Sequence, residues 1–232
     1  MQTVILIAET VSDAAGRAES QGSRSIHEAE DTALRLQLFR EGLRSIGLNE
    51  DASRFTSDQI EVSSFGKPFF RDIPRAHINL SHSGKYIACA FSDVEIGLDL
   101  QECTGPHTDV LRLAKRFFTN EEHEALLSVS GDDEARQKEV FFRLWAIKEA
   151  YLKYIGCGLR GELNSFLPDP LPLQKNLSGA RGLIRVLAKT ELLTPAEYSL
   201  LPAPEGFTMA VSAEKIPSDI VIRYYDASSR SW

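Results

Sequence analysis

The sequence predicts an α+β fold of two similar subdomains, each a mostly antiparallel sheet packed by a long helix. Three observations carry this. Apolar residues recur near helical spacing from Glu30 to Leu48, and a second long helix is read from about Glu134 to Tyr154. Short apolar runs bounded by Gly, Pro, Ser and Asp follow each helical stretch, as expected of strands joined by turns. Between the halves, the segment 102–108 carries Gly105 and Pro106 and reads as a linker. The expected division is therefore residues 1–103 and 104–232.

Taken in order, the first seven residues alternate weakly and read as a strand. Residues 10 to 28 are polar and rich in Ser, Gly and Ala, and read as a loop or mobile flap. Leu34, Leu36, Leu38, Phe39, Leu43 and Ile46 mark the first helix, with Gly47 as its stop. Strands are expected at Gln59–Val62, His77–Leu80, Tyr86–Phe91 and Glu95–Leu100. After the linker come a helix at 109–118 and a second one capped by Thr119, with Glu121 and Glu122 in its first turn. The long helix follows, and beyond Gly156 and Gly158 strands return at Gly182–Ala188, Phe207–Ser212 and Ile220–Tyr225.

Composition narrows the functional classes. At 232 residues, with 43% apolar and 25% charged residues, the chain is long enough for a sizeable core. No apolar run approaches the roughly 20 residues that span a bilayer, and TVILIA meets Glu9 too soon for a signal peptide, so the expected location is cytoplasmic, with no membrane association. Cys89, Cys103 and Cys157 are odd in number and lack metal-ligand spacing. The net charge of −7 argues against nucleic acid and requires any polyanionic ligand to meet a local basic cluster.

Four segments carry chemistry. In EIGLDL, Asp99 alternates with Ile96, Leu98 and Leu100 and projects from the other face; alone it reads as a solvated strand residue. In RLWAIKEAYLK, Glu149 and Lys153 stand at i, i+4, spacing that suits a surface ion pair. Yet Lys148 and Lys153 frame Glu149 while Trp145 and Leu152 offer an apolar anchor. A carboxylate held on a packed helix can ligate Mg²⁺, which usually takes one or two carboxylates plus phosphate oxygens, with lysines facing the same phosphates. NLSHSG supplies Asn79, Ser81, His82 and Ser83 before a glycine turn, and Gly66-Lys67-Pro68 is a turn that presents a lysine.

In this order and spacing, with 45 residues between Asp99 and Trp145, GKP, NLSHS, IGLDLQ and WAIKEAYLK resemble the large, monomeric type of 4′-phosphopantetheinyl transferase. The resemblance runs from about Gly66 to Phe166 and includes RFFTNEE and the GCGL after the long helix. It implies a monomeric pseudo-dimer of two α+β halves with coenzyme A in the cleft between them. It further implies that Asp99 and Glu149 hold Mg²⁺, or Mn²⁺ in its place, with the pyrophosphate. Lys148, Lys153 and His82 would belong to the phosphate site, Lys67 would lie beside the nucleotide, and Ser81 and Arg35 would meet the 3′-phosphate. Where the family often has a further Glu ligand, this chain has Gln101, whose amide oxygen can still ligate but brings no charge.

The implied reaction moves phosphopantetheine to a serine of an apo acyl or peptidyl carrier protein, with Asp99, Glu149 and Lys153 as its catalytic residues. Arg112, Lys115 and Arg116, at i, i+3, i+4, offer a basic face to an acidic carrier, although charge runs are as often simply solvated. A non-catalytic module binding coenzyme A or a carrier is the alternative. A nucleotide-triphosphate phosphotransferase is disfavoured because the chain has no G-x-x-x-x-G-K-[ST] loop.

Overall fold

The computed structural model describes residues 2–10, 21–103, 109–130, 133–158, 162–174, 177–188 and 192–225. They form strands β1 (Gln2–Glu9), β2 (Ile60–Val62), β3 (Pro68–Phe70), β4 (His77–Ser83), β5 (Tyr86–Ser92), β6 (Gly97–Glu102), β7 (Phe166–Asp169), β8 (Arg181–Val186), β9 (Ala196–Leu201), β10 (Phe207–Ala213) and β11 (Asp219–Tyr224). The helices are α1 (Gln21–Ser45), α2 (Asn49–Arg54), α3 (Val110–Phe117), α4 (Asn120–Ser130) and α5 (Glu134–Ile155). The chain is α+β in two units.

The first unit comprises residues 1–64, 68–95 and 217–232. Its four-stranded sheet has the order β11-β1-β5-β4, antiparallel except for the parallel β11–β1 edge. Val4, Leu6 and Ala8 of β1 face the same core as Ile78 of β4 and Ile87, Cys89 and Phe91 of β5, and Leu38, Phe39 and Leu43 of α1 complete it. Phe39 lies 5.7 Å from Phe55, 6.2 Å from Phe70 and 5.9 Å from Phe91, ring centre to ring centre, within the range for favourable aromatic pairs.

The second unit comprises residues 65–67 and 96–216. Its five-stranded antiparallel sheet runs β6-β10-β9-β8-β7, and α5 packs on β6, β10, β9 and β7. Ala146, Ile147, Ala150 and Tyr151 of α5 meet Tyr198, Leu200 and Ala210 of the sheet in one core. A second core joins α3, α4 and α5 through Ala114, Leu126, Val140 and Phe141. Trp145 lies among Phe117, Phe118 and Phe141, with centroids 5.9, 6.3 and 5.7 Å away. Helix α5 ends at Gly156 in the left-handed conformation that glycine tolerates best.

Several expectations shift. A cut at residue 103 would give β6 to the first half and β11 to the second, whereas β6 pairs with β10 and β11 pairs with β1. The linker residues 104–108 lie outside the described residues, and so does 11–20 of the expected flap. Residues 21–28 are helical and open α1; their polar sequence has no apolar period to reveal it. Strands β3, β7 and β9 are additional to those expected; β7 contains Pro168, and Pro195 and Pro202 flank β9.

One contact fixes α5 against the sheet. A Cβ placed on Gly97 would stand 2.0 Å from the Ala150 carbonyl oxygen and 2.3 Å from the Tyr154 nitrogen, so helix backbone lies directly on the strand. Gly97→Ala should therefore force the two apart and cost at least ~2 kcal/mol, the scale of overpacking a tight interior. Urea denaturation measures this; an unchanged midpoint would mean that the helix yields freely at this position.

Candidate functional site

Alternation along β6 places Gly97, Asp99 and Gln101 on the side that meets α5 and turns Leu98 and Leu100 the other way. The apolar half of that expectation holds, but the solvated half does not, since Asp99 is only 5% exposed. On α5, Glu149 and Lys153 are one turn apart on one face, flanking the Ala150 carbonyl that touches Gly97. The strand acid and the helix acid and base thus come together at the β6–α5 contact. Lys153 Nζ donates to Asp99 Oδ1 at 2.7 Å, so the lysine pairs across to the strand.

Electrostatics mark the place. Burial raises the Glu149 carboxyl above its ordinary range, the negative charge of Asp99 adds to the rise, and Lys153 opposes it. Two acids share this contact, and one ammonium does not fully offset them. Gln101 points from the same face as Asp99, and its amide donates to the Glu102 carbonyl at 3.2 Å, which leaves its side-chain oxygen as the acceptor end. The donor set is thus hard oxygen from two carboxylates and one amide. Among the described residues no group of three or more His, Cys, Asp or Glu is suited to a metal, so any cation here has Asp99 and Glu149 as its only charged protein donors.

Lys148 does not join this group. Its side chain is fully buried, and its ammonium donates to the Leu163 carbonyl at 2.7 Å and the Phe166 carbonyl at 2.5 Å, with Glu122 Oε1 at 2.8 Å. The rings of Phe118 and Phe166 lie 5.6 and 4.5 Å from the same nitrogen. The expected phosphate-facing lysine points into the second unit because neighbouring helical residues diverge by about 100°. Burial pushes Lys148 down to about 8 and raises Glu122, each against its partner's opposite charge.

Lys67 has a role that the sequence did not reveal. Its Nζ donates to the Tyr154 carbonyl at 2.7 Å, a cation at the C-terminal end of α5 where the helix dipole is negative. Gly156 lies alongside it, 3.3 Å from the Lys67 Cδ when given a Cβ. The long separation in sequence, 87 residues, hides such a contact from any local pattern.

Arg35, Ser81 and His82 belong to the first unit. His82 is exposed and stands on the side of β4 that carries Ile78 and Leu80, which is the α1 side. Arg35, exposed on α1, reaches the same side, since its charge acts on the Cys89 thiol, which burial pushes up to about 12. Ser81 and Asn79 are buried on the opposite side of the strand. His82 thus stands on the α1 side of the sheet and Ser81 on the opposite side.

In the second unit, α3 starts at Asp109, whose side chain accepts from the Arg112 nitrogen at 3.0 Å. Arg112, Lys115 and Arg116 are all exposed, and Arg116 lies over the Phe117 ring at 4.9 Å. No helix among the described residues is long and apolar enough to cross a membrane.

Comparison with known proteins agrees with this geometry. The model of the 4′-phosphopantetheinyl transferase superfamily matches residues 95–207, which contain β6, α5 and their acids. Over 182 residues the chain is 34% identical to the 4′-phosphopantetheinyl transferase ffp of Bacillus subtilis, covering 78% of this chain and 72% of that protein. It is 38% identical to the 4′-phosphopantetheinyl transferase Sfp of Bacillus subtilis (strain 168) over 123 residues, 53% of this chain and 50% of Sfp. It is 41% identical to the 4′-phosphopantetheinyl transferase psf-1 of Bacillus pumilus over 106 residues, 46% of this chain and 43% of psf-1. The matched stretch thus spans about half the length of two of these relatives and nearly three quarters of the third. With the signature residues gathered at the β6–α5 contact and a relative matched over most of its length, the chain belongs to the 4′-phosphopantetheinyl transferase superfamily.

Proposed function

We propose that this chain transfers 4′-phosphopantetheine from coenzyme A to a serine of an apo acyl or peptidyl carrier protein, releasing 3′,5′-ADP. The observation that carries the proposal is a pair of acids, buried Asp99 and half-buried Glu149, held with Lys153 where helix backbone meets strand. Family membership supports it. A divalent cation suits this donor set, and Mg²⁺, the hard cation of phosphate chemistry, is the one we assign, held by Asp99 and Glu149 with Gln101 as a neutral third donor. When bound, it supplies charge neutralisation for the pyrophosphate.

The chain's own groups account for the remaining requirements. The serine oxygen attacks the β-phosphorus, the bond from that phosphorus to the bridging oxygen breaks, and the electron pair leaves with 3′,5′-ADP. Lys153, 28% exposed beside Asp99, is the ammonium placed to stabilise the charge that develops on the leaving phosphate. Glu149 is our candidate to accept the serine proton, directly or through a water. Lys67, Arg35 and His82 are assigned to the phosphates and nucleotide of coenzyme A, Ser81 being left out because it is buried on the other side of its strand, and the exposed Arg112, Lys115 and Arg116 are assigned to an acidic carrier surface.

Intact-mass analysis of an apo carrier domain incubated with coenzyme A, Mg²⁺ and this protein tests the proposal. The expected result is a gain of one phosphopantetheine that disappears with EDTA and in Glu149→Gln; coenzyme A binding with no gain on any carrier would favour a non-catalytic binding module. The same variant has a stability signature. A carboxyl raised in the folded state destabilises that state as pH climbs through the raised value and does not below its unfolded value. In metal-free buffer, Glu149→Gln should melt a few degrees above the wild type at pH 8 and equal it near pH 4, as differential scanning calorimetry will show.

Gln101→Glu adds a third carboxylate at the same contact and should tighten Mg²⁺ binding about 5–10-fold while preserving transfer, read from the Mg²⁺ concentration giving half-maximal rate. An unchanged value would remove Gln101 from the metal assignment. Reversing Arg112 and Lys115 to Glu should raise the carrier KM roughly 10-fold at low salt and leave coenzyme A affinity unaltered. Equal carrier KM values would show that this face is merely solvated.

A further inference from the structure

We infer that the buried Glu122–Lys148 pair is a positioning device that fixes the rotation of α5, so that Glu149 and Lys153 are held against Asp99. This rests on the transferase assignment only for the meaning of its kinetic readout.

Glu122 and Lys148 both have fully buried side chains, and their charged atoms are 2.8 Å apart. Charges are removed from water at such cost that the arrangement persists only where every partner is in place. Most are here: Lys148 donates to the carbonyls of Leu163 and Phe166, and its charge is met by Glu122 Oε1 at 2.8 Å, an ion pair without hydrogen-bond alignment. Glu122 Oε2 takes the Thr119 nitrogen at 2.8 Å and its hydroxyl at 3.0 Å, while the Glu122 nitrogen donates back to Thr119 Oγ1 at 3.1 Å. This is a capping box, and it locks Glu122 to the first turn of α4. One ammonium thereby ties three pieces together: the start of α4, the turn at Leu163–Ser165 with the first residue of β7, and the middle of α5.

Helical geometry converts that tie into control of the site. With Lys148 pinned inward, Glu149 lies about 100° round the helix and Lys153 about 140°, so both face the flank where β6 passes. A side-chain tip about 6 Å from the helix axis swings roughly 2 Å for a 20° rotation. An octahedral cation with bonds of about 2.0–2.1 Å does not absorb such a displacement. The Gly97 contact sets how closely α5 approaches β6, but a glycine offers nothing to grip, and the pinned ammonium supplies the missing rotational restraint.

The test uses two variants of the full chain, Glu122→Gln/Lys148→Met and the milder Glu122→Gln, each shown to be folded by circular dichroism and a cooperative melt. If the double variant does not fold, the single one decides. Three quantities are read: amide hydrogen exchange across residues 149–154, coenzyme A affinity without metal, and kcat for transfer. The expected result is exchange at least 10-fold faster, kcat reduced at least 30-fold in the double variant and 3–10-fold in the single one, and coenzyme A Kd within 3-fold of wild type. A 10-fold weaker metal-free Kd would return Lys148 to the phosphate site, and wild-type exchange and kcat would leave the pair with no influence on α5; either overturns the inference. If the wild type itself transfers nothing, the transferase assignment fails, and the exchange rates alone decide the positioning role.

Discussion

The second unit depends on how closely α5 can lie on β6. At Gly97 there is no side chain between strand and helix backbone, and the close approach of α5 to β6 rests on that missing carbon. With a larger residue the helix would ride higher, and Asp99 would lose the reach that lets it take a 2.7 Å bond from Lys153. The signature glycine two residues before the signature acid is therefore a spacer of minimal thickness, and the spacing of two follows from the strand period. The helix meets the same constraint with Ala150, next to Glu149 and within a turn of Lys153.

Bringing these groups together has a thermodynamic cost. Burial, and after it the negative charge of Asp99, raise the proton affinity of the Glu149 carboxyl, and the Lys153 ammonium opposes them. Elsewhere in the unit opposite charges are matched one to one, as where the Lys148 ammonium meets Glu122 at 2.8 Å. The contrast separates charge that ties the fold together from charge left partly uncompensated at one place, as functional sites commonly leave it.

Much of this was legible in the sequence, for identifiable reasons. The Thr119 cap, the helices α3 to α5 and the alternation of β6 are local patterns, and local patterns survive without knowledge of the fold. Asp99, Glu149 and Lys153 were legible because their spacing is itself a family pattern. Lys148 was misread because adjacency in sequence was taken for adjacency in space, whereas on a helix one step turns the side chain to a different face. The hold of Lys67 on the end of α5 spans 87 residues and leaves no local trace. The proline-flanked β7 and β9 owe their conformation to their pairing partners, which propensity does not see.

The parallel pairing of β1 with β11 also bears on the order in which the molecule is assembled. The first unit opens with the first strand and is closed by the last, with the whole of residues 96–216 made in between. On the ribosome, β1 pairs with β5 early but keeps one row of backbone donors and acceptors bare until residues 219–224 emerge. A nascent chain of this kind is open to edge-to-edge association throughout synthesis of the second unit, and the first unit becomes complete only once residues 219–224 are made.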